Sequence, residues 1–284
     1  METNRMKLFS IGTDTEVSLY KDGIYKSAIG RVPGTKDAPC PTEHGWIQQD
    51  GVSVEFNTPP VFSHVENPKE LFIKSVNLAM KDVLKVASEQ DMEVKIVPQA
   101  IFFDDELAHP LARIAGCDPD FCVYDLEQNP APDISATPMR TFGGHIHVGY
   151  EDSGSNYDQG FNIVRGLDCT LGMLSLLFDK EGEPRRSLYG KAGAFRPKPY
   201  GIEYRTLSNF WIKSDKFIGL VYDTVDFIMN NLDLFEKSAN GFFLNRVRVI
   251  NNPTIASDDT VRSMIGQVPN YINVLKKNEV SLYV

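Results

Sequence analysis

The chain has 284 residues, 42% hydrophobic and 24% charged, which is the composition of an ordinary globular protein and not of a disordered or fibrous one. Its net charge of −9 argues against non-specific binding to nucleic acid or to an acidic membrane surface, so neither is expected as a partner. Polar residues interrupt the apolar runs short of a membrane span, and METNRMKLFSIG lacks a signal-peptide core, so the cytoplasm is the expected compartment. No Pro/Gly/Ser-rich linker divides the sequence, and one domain over residues 1–284 is expected. Cys40, Cys117, Cys122 and Cys169 lack zinc-ribbon spacing and read as reduced thiols.

The first element is KLFSIGTDTEVSLY, Lys7 to Tyr20. Phe9, Ile11, Val17 and Leu19 alternate with polar residues, which predicts a strand whose polar face carries Asp14 and Glu16. Asp22-Gly23 reads as a tight turn into a short strand from Ile24. Gly30 to Gly45 reads as a loop. Asp50-Gly51 then opens a strand, VSVEFN, with Glu55 on its polar side and Pro59-Pro60 as its stop.

Asn67 to Gln90 reads as a helix capped by Asn67, with Pro68 at its first position and a broad stripe through Leu71, Val76, Leu78, Ala79, Val83, Leu84 and Val86. Glu93 to Ala100 returns to strand character. Phe102 to Pro138 is a long proline-rich loop of the kind that forms a lid or binding segment. GGHIHVG, Gly143 to Gly149, predicts a strand with His145 and His147 on one face. Tyr157 to Phe178 reads as a second helix, Lys213 to Phe235 as a third, and Asp258 to Lys277 as the site of another. Between them lie a basic, glycine-bearing loop, Glu181 to Tyr200, and the strand GIEYRTLS with Glu203 and Arg205 in phase.

Alternating strands with helices gathered between them give an α+β class, with helices on one face of the sheet and a site on the other. Four strands deliver Asp14/Glu16, Glu55, His145/His147 and Glu203/Arg205 to that polar face. Each piece alone has a plainer reading, as a solvated carboxylate or an ordinary cross-strand ion pair. Together they form an oxygen-rich set with a few imidazoles, which suits Mg²⁺ or Mn²⁺. Arg185, Arg186, Lys191, Arg196 and Lys198 supply cations for phosphate, and Gly190 and Gly193 would let the backbone approach a ligand. A nucleoside triphosphate fits both halves. A thiol nucleophile at Cys117, in GCDPDF, is the weaker alternative to a packed cysteine.

The TDTE strand, DGVSVEFN, GGHIHVG, RRSLYGKAGAFRPKPYGIEYR and GCDPDF together resemble the phage-type carboxylate–amine (COOH·NH2) ligases, within the superfamily of glutamine synthetase and γ-glutamylcysteine ligase. The resemblance covers roughly residues 7 to 211 and weakens in the last quarter. It implies a curved antiparallel sheet like the glutamine synthetase catalytic domain, with ATP and Mg²⁺ or Mn²⁺ on one face. It places metal at Glu16, Glu55, His145 and Glu203, with Asp14 standing where the superfamily has glutamate, and it leaves one further acidic ligand unassigned. It sets His147, Lys191, Arg185 and Arg205 by the nucleotide, and Arg205, Arg196 and Arg186 on the transferring phosphoryl group. It implies an acyl phosphate made from ATP and a carboxylate, then attack by an amine deprotonated by an acid of the Phe102–Pro138 loop. Small-molecule or peptide substrates, homo-oligomers and a phage origin with action in host cytoplasm go with it. A guanidino- or carboxylate kinase of related fold, a non-catalytic nucleotide- or peptide-binding protein and a metal-dependent hydrolase are the competing readings.

Overall fold

A computed structural model of the chain describes residues 7–114, 120–236 and 241–282. β1 (Phe9–Lys21) turns at Asp22-Gly23 into β2 (Ile24–Lys26). Both turn residues have positive φ, 54° and 83°, as the right-handed twist of a two-residue hairpin requires. β3 (Cys40–Pro41), β4 (Trp46–Asp50), β5 (Ser53–Asn57) and β6 (Val61–Phe62) follow. Asp50-Gly51 therefore closes a β4–β5 hairpin and does not begin a strand. β4 escapes sequence reading because WIQQD buries only Ile47 and Gln48.

α1 (Pro68–Ser88) starts where expected, but Asn67 sits in the left-handed region at φ 50° and its side chain caps nothing. Its buried line is Phe72, Val76, Ala79, Val83 and Ala87. Leu71 and Leu84 of the expected stripe are exposed. Glu93 to Ala100 is not one strand. Pro98 separates β7 (Glu93–Lys95), paired with β1, from β8 (Gln99–Ile101). In the long loop lies β9 (Phe121–Cys122), and β8 pairs with β10 (Met139–Thr141) at its end. β11 (Gly144–Tyr150) carries the two histidines.

The second helix is α2 (Tyr157–Leu167), a π turn over Asp168–Gly172, and α3 (Met173–Phe178). Contrary to the sequence expectation, this unit is long and apolar enough to cross a membrane by length and composition, but 78% of its apolar window is buried inside the fold. Part of the basic loop is strand. β12 (Ala194–Lys198) forms a hairpin with β13 (Gly201–Tyr204). α4 (Asp215–Met229) ends before the expected Phe235, α5 (Phe242–Asn251) was not foreseen, and Asn270 at φ 63° divides the last region into α6 (Asp258–Gly266) and α7 (Tyr271–Lys277).

Among the described residues the main sheet has 11 strands, with β3-β4-β5-β1-β11-β13-β12-β9 in order and β2, β6 and β7 added along β1. Its named pairs are antiparallel. One face is apolar: Ile11, Val17, Val54, Phe56, Ile146, Val148 and Ile202 share a core with Phe72 of α1, Ile163 of α2 and Val221 of α4. Each such side chain contributes about 1.5–3 kcal/mol by leaving water. Trp211 locks the layers together. It stacks on Phe72 and donates Nε1–H to the Gly144 carbonyl at 3.1 Å. Gly144 has to be glycine, since a Cβ there would lie 2.4 Å from the Ser208 carbonyl oxygen.

The π turn aims Asp168 at the underside of the sheet. Its carboxyl accepts from Tyr204 (2.6 Å), Tyr124 (2.9 Å) and the Gly193 amide (2.6 Å), which fixes the β12–β13 hairpin. Full burial outweighs these donors and pushes its pKa up to about 6. A carboxyl raised on folding favours the native state most below the unfolded value of about 4, and that contribution is lost as pH rises through about 6. Wild type should therefore lose about 3 kcal/mol relative to Asp168→Asn between pH 3 and 7, read from urea unfolding of both proteins. A gap that does not change with pH would contradict this.

Candidate active site

The opposite face of the sheet is polar because the register puts like residues side by side. Gln48, Glu55 and Glu16 are cross-strand neighbours on β4, β5 and β1. Asn57, Asp14 and His145 form the next row, and Gly12, His147, Glu203 and Arg196 the third, on to β12. Opposed residues project to one side, so all four predicted strands contribute to one surface. It lines a cavity of about 270 Å³ that includes Asp14, Glu55, His145, His147, Arg196 and Arg205.

Asp14 Oδ1 lies 3.0 Å from His145 Nδ1 and 3.1 Å from His147 Nε2. Burial opposes ionisation of Asp14, yet the two imidazoles hold its pKa well below the usual range. His147 Nδ1 meets the Tyr200 hydroxyl, whose ring stacks on it, while Nε2 is buried and out of line for a hydrogen bond to Asp14. Gly143 gives His145 its room, because a Cβ there would stand 2.3 Å from the imidazole Nε2. The Gly143 amide also donates to Glu16 Oε2 at 2.6 Å.

Glu203 is fully buried and is surrounded by cations. Arg196 Nη1 is 3.0 Å away, Lys198 Nζ is 2.8 Å away, and Arg205 is in direct contact. Burial and Asp14 work against its charge, but Arg205 and the histidines prevail and draw it down to about 2. Glu55 has the opposite balance. Burial and the charges of Asp14, Asp50 and Glu16 push its pKa well above the usual range, and Glu16 is also raised by burial.

Two groups of ligand atoms result. Those of Asp14, His147 and Glu203 all lie within 4.8 Å of one another, and so do those of Glu16, Asp50 and Glu55. Carboxylate oxygens with an imidazole are a donor set for Mg²⁺ or Mn²⁺, and the raised pKa values of Glu16 and Glu55 mark a place short of positive charge. Asp50 joins Glu16 and Glu55 in the second group, a residue that the sequence analysis did not assign to the site. Its position beside Gly51 reads as turn chemistry and conceals that β4 delivers it to the polar face. Gln48 and Asn57 were likewise missed as site residues, whereas Lys198, expected among the phosphate-binding cations, lines the site. Tyr200, which sits at the β12–β13 turn, was missed too.

The loop cations divide. Arg196 lies in the site, and Arg185 flanks it beside Glu16, donating to the Thr206 carbonyl at 2.9 Å. Arg186 faces the other way. It donates to Ser175 of α3 at 2.7 Å and lines a separate cavity with Asp179 and Asp258, because a 3₁₀ turn over Pro184–Ser187 separates its direction from that of Arg185. Its expected contact with a transferring phosphoryl group is therefore not supported. Lys191 is also outside the site: its side chain is exposed, and only its carbonyl is used, accepting from Thr206. From the long loop, Asp120 reaches Arg205 Nε at 3.1 Å and is steadied by Asn129 at 2.9 Å. Cys40, Cys122 and Cys169 are free thiols, and Cys117 lies outside the described residues.

Residues 135–246 match the family model described as phage phiEco32-like COOH.NH2 ligase-type 2. That is the family the motifs of this chain resemble. The matched segment carries His145, His147, Glu203, Arg205 and Asp168, whereas Asp14, Glu16, Asp50 and Glu55 lie outside it, on β1, β4 and β5. No curated protein matches the chain significantly.

Crowded buried carboxylates cost stability when nothing neutralises them. In EDTA at pH 8, Glu55→Gln should melt at a higher temperature than wild type. The amide removes the charge, and its oxygen can still accept from Gln48, which donates to Glu55 at 2.8 Å. A lower melting temperature would show that Glu55 is not under electrostatic load.

Proposed function

We propose that the protein is an ATP-dependent carboxylate–amine ligase that forms an amide through an acyl phosphate and releases ADP and phosphate. The observation that carries this reading is the pair of adjoining acidic groups, Asp14/His147/Glu203 and Glu16/Asp50/Glu55, on one buried face bordered by Arg196, Lys198, Arg205 and Arg185. Those six residues, with His145 beside them, would hold Mg²⁺ or Mn²⁺, which when bound offsets charge on the phosphates. Arg205, Arg196 and Lys198 point at Glu203 and are within reach of phosphate oxygens entering beside it. His147 and Tyr200 border the same entry.

In the first step a carboxylate oxygen of the acid attacks the γ-phosphorus of ATP, and the bond to the ADP oxygen breaks. Arg205, fixed on both sides by Glu203 and Asp120, is preorganised for the charge that moves onto the γ-phosphoryl oxygens. In the second step the amine nitrogen attacks the activated carbonyl carbon and phosphate leaves with its bonding pair. The amine must lose a proton, and Asp120 is the loop acid placed against the site to accept it.

The activity test is ADP release from MgATP across a panel of carboxylic acids, each with and without an amine. Wild type should release ADP in step with amide formation. Glu203→Ala should abolish turnover, and Arg205→Lys should lower it about 10²–10³-fold, since the fork that meets the phosphoryl oxygens is lost. ADP release that never needs an amine, with a phosphorylated acid accumulating, would favour a kinase instead.

A further inference from the structure

Arg186 turns away from the polar face and meets a second cavity, enclosed by α3, α6 and the 3₁₀ turns over Lys180–Gly182, Pro184–Ser187 and Pro253–Ile255. The volume is about 150 Å³, and no residue lining it lines the cavities of the polar face. Two opposite charges are buried in its wall. Arg186 is 4% exposed and Asp179 is 6% exposed.

The two are pinned apart. Arg186 Nη2 donates to the Ser175 hydroxyl at 2.7 Å, and that hydroxyl donates to the Gly172 carbonyl at 2.6 Å. On the other side Asp179 Oδ2 accepts from Ser208 at 2.8 Å. Gly182 closes over this carboxyl so tightly that a Cβ would stand 2.1 Å from Oδ2. Each group feels the charge of the other, but no hydrogen bond joins them among the described residues. Arg186 Nη1 has no hydrogen-bond partner among the described residues. Burial lowers the pKa of Arg186 and raises that of Asp179, and their mutual attraction offsets only part of this. At the mouth, by contrast, charge is already matched. Lys180 Nζ lies 2.6 Å from Asp258 Oδ1, and both side chains are half-exposed.

We propose that this cavity binds a small α-amino acid, with its carboxylate on Arg186 and its ammonium on Asp179. A zwitterion answers both buried charges at once. An anion alone would leave Asp179 unpaired and would also face Glu183 and Asp258, and a cation alone would leave Arg186 Nη1 unanswered. At roughly 10–15 Å³ per water by the same measure, the cavity holds about ten to fifteen water-sized groups, which is room for an amino acid with a short side chain. Leu176, Pro253 and Ala256 give that side chain an apolar wall. The site needs neither ATP nor metal, so it goes beyond the ligase reading and does not rest on it.

Calorimetric titration of the full chain, without nucleotide or metal, tests this with glycine, L-alanine and L-valine as probes and propionate and ethylamine as half-ligands. At least one amino acid should bind wild type tenfold or more tightly than either half-ligand. Arg186→Gln should weaken that binding tenfold or more. Ala256→Phe, which fills the cavity from its half-buried rim, should do the same with the guanidinium intact. Glu203→Ala, on the polar face, should leave it within about twofold. An amino acid that binds no better than propionate or ethylamine, or binding that survives Ala256→Phe and Arg186→Gln, would overturn the proposal. So would binding lost in Glu203→Ala alone, which would put the amino acid on the catalytic face. Because Arg186 also ties its turn to α3, Ala256→Phe and the wild-type comparison decide the matter where Arg186→Gln fails to fold.

Discussion

The cross-strand register of β1 is the constraint on which the site depends. Asp14 opposite His145 and Glu16 opposite Glu55 follow from its pairings with β11 and β5, and a slip of β1 by one residue would send Asp14 and Glu16 into the helical layer. The register is held from the apolar side, where Ile11, Val17, Ile146 and Val148 must face α1, α2 and α4. Hydrophobic burial therefore fixes an arrangement that electrostatics alone would resist. Three carboxylates around Glu55 are brought together against their mutual repulsion, and core packing supplies the free energy.

The face has two charge regimes. Around Glu203, cations outnumber carboxylates and ionisation is favoured. Around Glu55, carboxylates dominate and protonation is favoured. On the ligase reading proposed above, the cations beside Glu203 meet the phosphate chain and the carboxylates of both acidic groups meet metal. Asp168 serves the same end from beneath. It touches no ligand-facing atom, but it holds Tyr204 and the Gly193 amide, and with them the hairpin that positions Arg196, Lys198 and Glu203.

Much of this was legible in the sequence because alternation is a local signal. Phe9 to Leu19 and GGHIHVG show their polar faces without reference to the rest of the chain, and the same period places Glu55, Glu203 and Arg205. What the sequence concealed was of two kinds. Asp50 and Lys198 lie on strands whose alternation is too short or too interrupted by proline to be seen, so their direction was unreadable. Arg186 and Lys191 looked like neighbours of Arg185 and Arg196, but their directions depend on a 3₁₀ turn and on which backbone groups that turn satisfies.

The most direct measurement is the stoichiometry of Mn²⁺ binding in the presence of ATP, followed by the magnetic resonance signal of free Mn²⁺ for wild type, Glu203→Ala and Asp50→Asn. The two acidic groups call for two ions in wild type. Each variant should lose one of them, and the double variant both. A single ion in wild type, or two ions that survive both substitutions, would contradict the account of this face as a paired metal and nucleotide site.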